Sequence, residues 1–300
     1  MTKKEQTEIE EQLLGIYCGI LYNRRELAIG ERVAFTYNFS DPAYAELLTR
    51  YPIADVAGRG GDFERALRLC RWLVLNLAHK GDFSFTAEGG TMPENARAFL
   101  DYSFGDPAHG INCVAKAKIL VECCLALGIY ARRVGMYPES PYDSDNHFVC
   151  EIFDRAHRKW IMLDPTTGGY LSDGKNPLSV LEARGLFADM VPVSVVLSRQ
   201  STKNFEALAK RNRNLNSYYA KNLCYLGIVA EGDDTRDSEE FFLIPKGFDV
   251  AGRVRRNRSW LLAQMGEREC PQETYERLRE RANTFEPRIG SAMMWDPPVS

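Results

Sequence analysis

The chain has 300 residues, 45% hydrophobic and 11% aromatic, so it can bury a sizeable core; disorder and a disulfide-stapled miniprotein are excluded. Lys plus Arg is 38 against 41 for Asp plus Glu, and a net charge of −3 is neither the basic footprint of a nucleic-acid binder nor a polybasic membrane anchor. The longest apolar run, 13–22, falls short of the roughly 20 residues that span a bilayer, and the acidic residues before it are unlike a secretory signal, so a cytoplasmic protein without membrane contact is expected.

Residues 5–28 carry an amphipathic helical pattern, and 32–38 read as a short strand. Asp41-Pro42 opens a helix that stops before Pro52. From 62 to 79, Phe63, Ala66, Leu67, Cys70, Leu73, Val74 and Leu77 keep i, i+3, i+4 spacing and predict a helix with one buried face. A glycine-rich loop over 80–94 and a short helix to Tyr102 follow. A second loop, 105–112, leads into a long helix that Gly128 terminates. Three strands come next, over 131–134, 148–153 and 159–163, the last two forming an antiparallel hairpin around the turn 154–157. Asp173-Gly174 marks a turn, and 178–184 a helix. Beyond Val196 the chain predicts a polar helix over 203–222, strands over 223–229 and 241–244 around an acidic loop, then a helix and an unstructured tail. The resulting division is an N-terminal helix (1–34), a core (35–197) and a C-terminal extension (198–300).

Eight cysteines and no CxxC pair argue for reduced thiols and against a thiolate metal site. Cys18, Cys70 and Cys224 sit among apolar residues, and Cys123-Cys124 lie on a helix, as core cysteines do. Cys113 differs, because it ends a loop and begins a long helix, where unpaired amides and the helix dipole favour a thiolate. Pairing Phe153 with Arg158 places His147 opposite Asp164, with Cβ atoms roughly 4.5–5.5 Å apart. A carboxylate there can take one imidazole nitrogen and leave the other to face a thiol. Taken singly, His147 also reads as a solvated strand end and Asp164 as a turn residue before Pro165.

The segments GINCVAKAKILVECCLALGIYARRV, DNHFVCEIF and RKWIMLDPT resemble the core of the transglutaminase-like superfamily. The likeness spans residues 110–174 and rests on Gly-x-x-Cys before a helix, Leu-Gly-Ile-x-Ala-Arg after it, a His-led strand and Trp-x-x-x-Asp-Pro closing the hairpin. It implies an α+β, papain-like fold in which a nucleophile-bearing helix packs on an antiparallel sheet. Carried over residue by residue, Cys113 is the nucleophile, His147 the general base and Asp164 its orienter. The upstream CxxC pairs of cytoplasmic peptide:N-glycanases are missing, and there is no room for the β-sandwich domains and calcium sites of animal transglutaminases. The closer likeness is to uncharacterised single-chain bacterial members. The implied chemistry is thiolate attack on an amide carbonyl of a protein or peptide, ended by water or an amine, with no metal or organic cofactor.

Further candidates stand beside this trio. His109 lines the site or shapes its loop, and Asn112 or Tyr102 supplies an oxyanion side chain. Trp72 and Trp160 are read as core, Glu151 as a solvated carboxylate, and one of Arg132 and Arg133 as paired with an acid. Five basic residues between Lys246 and Arg258 are read as a solvated face rather than a nucleic-acid site. The rival to an enzyme is a protein-binding scaffold on the same fold with its cleft covered.

Overall fold

The computed structural model describes residues 3–80, 95–106, 108–197, 215–230, 239–269, 276, 279–280 and 283–298. Helix α1 (Lys3–Asn23) forms over the first amphipathic stretch. The Asp41 carboxylate accepts from the Ala43 amide at 2.8 Å and caps α2 (Pro42–Arg50), with Pro42 in its first turn as the sequence predicts. After α3 (Ile53–Ala57), the periodic stretch becomes α4 (Asp62–Asn76), which buries Ala66, Leu69, Cys70 and Leu73. It is shorter than predicted. Leu77 turns extended, and Ala78–His79 form β1.

Strand β1 pairs in parallel with β2 (Gly110–Ile111), so the loop before Cys113 is held by a ladder. Helix α5 (Ala96–Gly105) lies between them in sequence, and α6 (Cys113–Ala126) follows. Gly128, at φ 72, ends α6 in the left-handed conformation that glycine tolerates. A six-stranded sheet then takes shape from β3 (Ala131–Tyr137), β4 (His147–Asp154), β5 (Lys159–Leu163), β8 (Tyr225–Val229), β9 (Glu240–Leu243) and β10 (Arg288–Ile289). Its order is β10-β9-β8-β3-β4-β5, antiparallel except for the β9–β10 edge. Strands β6 (Tyr170–Ser172) and β7 (Ser194–Val196) make a separate ribbon around α7 (Val180–Ala188).

Two cores sandwich the sheet. On one face, α2 to α6 bury Ile119, Leu120 and Cys124 against Ala131, Cys150, Ile152 and Leu163. On the other, α1, α7 and α8 (Leu215–Asn222) pack on Val134, Met136, Val149, Met162, Leu226 and Ile228. This is the α+β arrangement predicted, with the helix that Cys113 opens packed on a mostly antiparallel sheet. No helix among the described residues is long and apolar enough to cross a membrane.

Several local expectations are corrected. Residues 32–38 form no ladder; Glu31 bridges Gly290, Thr36 N donates to Ala230 O at 3.1 Å, and Val33 and Phe35 attach the stretch by packing. The hairpin pairs Phe153 with Trp160 and Asp154 with Lys159, two residues out of the expected register. Arg158 takes a left-handed φ of 52, and the Asp154 carboxylate accepts from the His157 amide, which closes a four-residue turn at 155–158. The tail is ordered where described: β10 joins the sheet and a 3-10 turn, Ala292–Trp295, buries Met294. Arg253, on α9 (Val250–Glu269), is no solvated cation, because its Nη2 supplies donors at 2.9 Å to the Ser140 and Asp143 carbonyls. The predicted loop segment 81–94, the helical segment 203–214 and the acidic loop 231–238 lie outside the described residues.

Candidate active site

Cys113 occupies the first position of α6. Asn112 caps that helix, its side-chain oxygen accepting from the Ala115 amide at 3.1 Å. Ile111, fully buried, anchors the preceding residue in the first core. Gly110 is required there, since a Cβ would lie 2.9 Å from that of Lys80. Cys113 is half-buried, whereas the other six described cysteines are buried, and all seven are free. Burial pushes the Cys18, Cys70, Cys123 and Cys150 thiols up and carries Cys224 to about 12.

His147 opens β4 and is buried at 3% exposure. Its Nε2 lies 2.9 Å from Asp164 Oδ2, and Cys113 is close enough to favour the protonated ring. With Nε2 engaged by a carboxylate, Nδ1 is the nitrogen left for sulfur. The actual register sets Asp164 diagonal to His147 rather than opposite. An even slip keeps both side chains on one face, and diagonal partners remain within reach.

Asp164 closes β5 and divides its two oxygens. Oδ1 accepts from the Thr166 amide at 2.8 Å, a turn contact, while its backbone oxygen accepts from Thr167 N and Gly168 N. Oδ2 takes His147 and, at 2.6 Å, the hydroxyl of Tyr219 from α8. One carboxylate oxygen thus holds the turn and the other meets His147. Burial alone would raise this carboxyl, but the His147 charge, its hydrogen bond, the Tyr219 hydroxyl and the Thr166 amide bring it down to about 2. Burial likewise opposes a charged His147, yet Asp164, with help from Cys113, raises the imidazole to about 10.

Three further side chains that the sequence reading passed over face this group. Lys116, one turn along α6, is 1% exposed and donates from Nζ to the Leu77 carbonyl at 2.9 Å, a carbonyl at the end of α4. Burial brings its ammonium down to about 8 although Asp164, Cys113 and Cys70 all oppose the shift. The Tyr218 ring meets the His147 ring edge-on at 5.3 Å, and its hydroxyl lies 3.4 Å from Asp145 Oδ1. Tyr219 is buried at 1%. The available signals were a lysine inside an apolar helix and a Tyr-Tyr pair in a polar one.

The remaining candidates have structural places. His109 Nδ1 donates to Tyr102 O at 2.7 Å, and the two rings stack at 4.0 Å, so His109 shapes its loop. The Asn112 oxygen is taken by the helix cap. Trp72 packs on the first core against Phe104, and Trp160 is 2% exposed. Glu151 is corrected: it is fully buried, because Arg132, the Val180 amide and Trp295 Nε1 all donate to it. No group of three or more potential metal ligands occurs among the described residues.

No curated protein matches the chain in sequence. Among solved structures, an arylamine N-acetyltransferase from Mycobacterium abscessus aligns at 14% identity and a TM-score of 0.32, covering 81% of this chain and 97% of that one. A Rad4–Rad23 complex bound to a 6-4 photoproduct UV lesion aligns at 11% identity and a TM-score of 0.30, covering 94% of this chain and 60% of that one. These overlaps are too loose to bear on chemistry. The model of the transglutaminase-like superfamily matches residues 53–165, a stretch that includes Cys113, His147 and Asp164, and it supports a fold of cysteine-type acyl transfer or hydrolysis. Over residues 53–165, then, the chain is similar to the transglutaminase-like superfamily.

Proposed function

We propose that the protein is a cysteine-nucleophile enzyme acting on amide carbonyls of proteins or peptides, with Cys113 as nucleophile, His147 as acid and base, and Asp164 as its orienting carboxylate. The catalytic residues lie in the core 35–197, on which the N-terminal helix 1–34 packs and to whose sheet the extension 198–300 adds β8, β9 and β10. One observation carries the reading: a half-buried thiol at a capped helix start neighbours a buried imidazole whose Nε2 lies 2.9 Å from a buried carboxylate. Separate structural roles for the three would not demand that they meet.

The steps follow from these positions. The Cys113 thiolate attacks the carbonyl carbon, forming an S–C bond and a tetrahedral oxyanion beside the amides of the α6 N-terminus. Collapse breaks the C–N bond as the His147 imidazolium passes its proton to the departing amine. Water or a second amine, deprotonated by His147, then attacks the thioester, and Cys113 leaves as the thiolate. Asp164 keeps the imidazole in one tautomer and offsets the imidazolium charge.

The test offers glutamine-containing peptides with and without a primary amine, following ammonia release, amine incorporation and peptide cleavage. Any of these activities should vanish in Cys113→Ala and in His147→Ala while surviving a chelator. Turnover that persists in Cys113→Ala overturns the assignment. The scaffold alternative draws on Tyr218, whose ring lies against His147, and it predicts peptide binding without turnover.

A further inference from the structure

We infer that Tyr219 is a positioning residue of this site, its phenol holding the Asp164 carboxylate that faces His147, so that α8, outside the family-matched stretch, completes the machinery. The inference rests on the Cys113–His147–Asp164 reading and extends it.

A buried tyrosine hydroxyl needs a partner, and most take a carbonyl or water. This one donates at 2.6 Å to the same oxygen that accepts from His147, with Thr167 Oγ1 a more distant neighbour at 3.4 Å. Oδ2 is therefore shared between two donors, and Oδ1 is held by the Thr166 amide. Three donors from three segments fix the carboxylate plane, as a preorganised site requires. The phenol is always the donor, since burial and the Asp164 charge push its own ionisation far above the ordinary range. Helix α8 is itself fastened at both ends. Asn216 donates to the Val193 carbonyl at 3.0 Å, and Lys221 pairs with Asp143 and Asp145 at 2.9 and 3.2 Å.

Sharing an oxygen has a definite electrical sign. A carboxylate oxygen that already accepts a strong hydrogen bond is less basic toward a second donor. Removing the phenol makes Asp164 hold the His147 proton harder, whereas a more acidic phenol weakens that hold. Loss of packing alone would loosen the His147–Asp164 contact and act in the opposite sense to loss of the hydrogen bond. The other titratable groups facing the pair stay constant in this comparison: Cys113 and Lys116 from α6, Cys70 from α4 and Tyr218 from α8.

The experiment follows the full-length chain with labelled histidine by NMR, His147 being assigned through His147→Gln, alongside iodoacetamide alkylation of Cys113 across pH. In Tyr219→Phe the alkaline titration of His147 should move up by about one pH unit, and in Asp164→Asn it should move down. A difluorinated tyrosine placed at 219 should move it down, and this variant alone decides if Tyr219→Phe does not fold. An unmoved or lowered titration in Tyr219→Phe, or an unmoved one with the fluorinated residue, overturns the role of Tyr219 while Asp164→Asn still shifts. If Asp164→Asn also matches the wild type, the reading of the site falls and Tyr219 with it.

Discussion

Arg132 and Glu151 face each other across β3 and β4, both out of water, with Nη2 2.7 Å and Nε 3.1 Å from a single carboxylate oxygen. The other oxygen accepts from Val180 N at 2.7 Å and from Trp295 Nε1 at 3.0 Å. Arg132 also donates to the Met294 carbonyl, and its guanidinium lies over the rings of Trp160 and Trp295 at 3.9 and 4.8 Å. One ion pair thus ties the sheet to α7 and to the C-terminal segment. A buried pair is weak evidence for net stability, but breaking one is costly because the survivor is a charge without water. Glu151→Gln should therefore lose about 3–5 kcal/mol of unfolding free energy in urea. A change below about 1 kcal/mol would mean that the cation finds another partner.

Trp295→Phe keeps a smaller aromatic face beside Arg132 and deletes the indole donor to Glu151. The loss should be about 1–3 kcal/mol, the range for a hydrogen bond to a buried charge. Combined with Glu151→Gln, it should add much less than its own effect, because both act on one oxygen network. Simple additivity in a double-mutant cycle would contradict that coupling.

Cys113 should be the first described thiol to react with iodoacetamide near pH 6, ahead of Cys18, Cys70, Cys123, Cys124, Cys150 and Cys224, all of which are buried. Peptide mapping of the alkylated chain reads the order. Faster labelling of Cys18 or Cys150 would remove the ground for treating Cys113 as the nucleophile.

The His147–Asp164 pair predicts a stability profile with two edges. Asp164, brought down to about 2, contributes stability that is full above the ordinary carboxylate range and lost as pH falls toward 2. His147, raised to about 10, contributes stability that is full below about 6.5 and lost as pH rises through 10. Asp164→Asn should flatten both edges, at a cost of about 2 kcal/mol near pH 6. The comparison is urea unfolding of wild type and variant from pH 3 to 10. Parallel curves would show that the two groups do not ionise as a pair.

Lys116 has the opposite sign. Its ammonium, brought down to about 8 by burial, binds its proton less tightly folded than unfolded, so its burial penalises folding at neutral pH. The penalty is relieved as pH climbs from about 8 to 10.5. Lys116→Met should remove this slope, so that wild type gains on the variant by about 2–3 kcal/mol across that window. The difference between the two unfolding free energies is the quantity to follow, since the buried cysteines and tyrosines titrate in both chains. A difference independent of pH would place the Lys116 ammonium in contact with water.

The sequence alone determined whatever depends on neighbours along the chain. The helix start at Asp41-Pro42, the periodic face of α4 and the stop at Gly128 are each written within a few residues, where backbone geometry and amide satisfaction decide the outcome. The likeness of residues 110–174 to a superfamily added the expectation that Cys113, His147 and Asp164 should meet. Register lay beyond this reach, because a slip of two residues leaves every side chain on its face and alternation cannot detect it; the left-handed Arg158 decided it. Tertiary structure alone decided the burial of Glu151 and Arg253 and the ordering of the tail. Each is a charge or chain end whose solvation turns on partners more than a hundred residues away, as Glu151 does on Trp295 and Arg253 on Ser140. Tyr219 is a case of the same kind. Its helix reads as polar surface, and only the packing of α8 on the sheet brings a phenol 2.6 Å from a carboxylate 55 residues earlier in the chain.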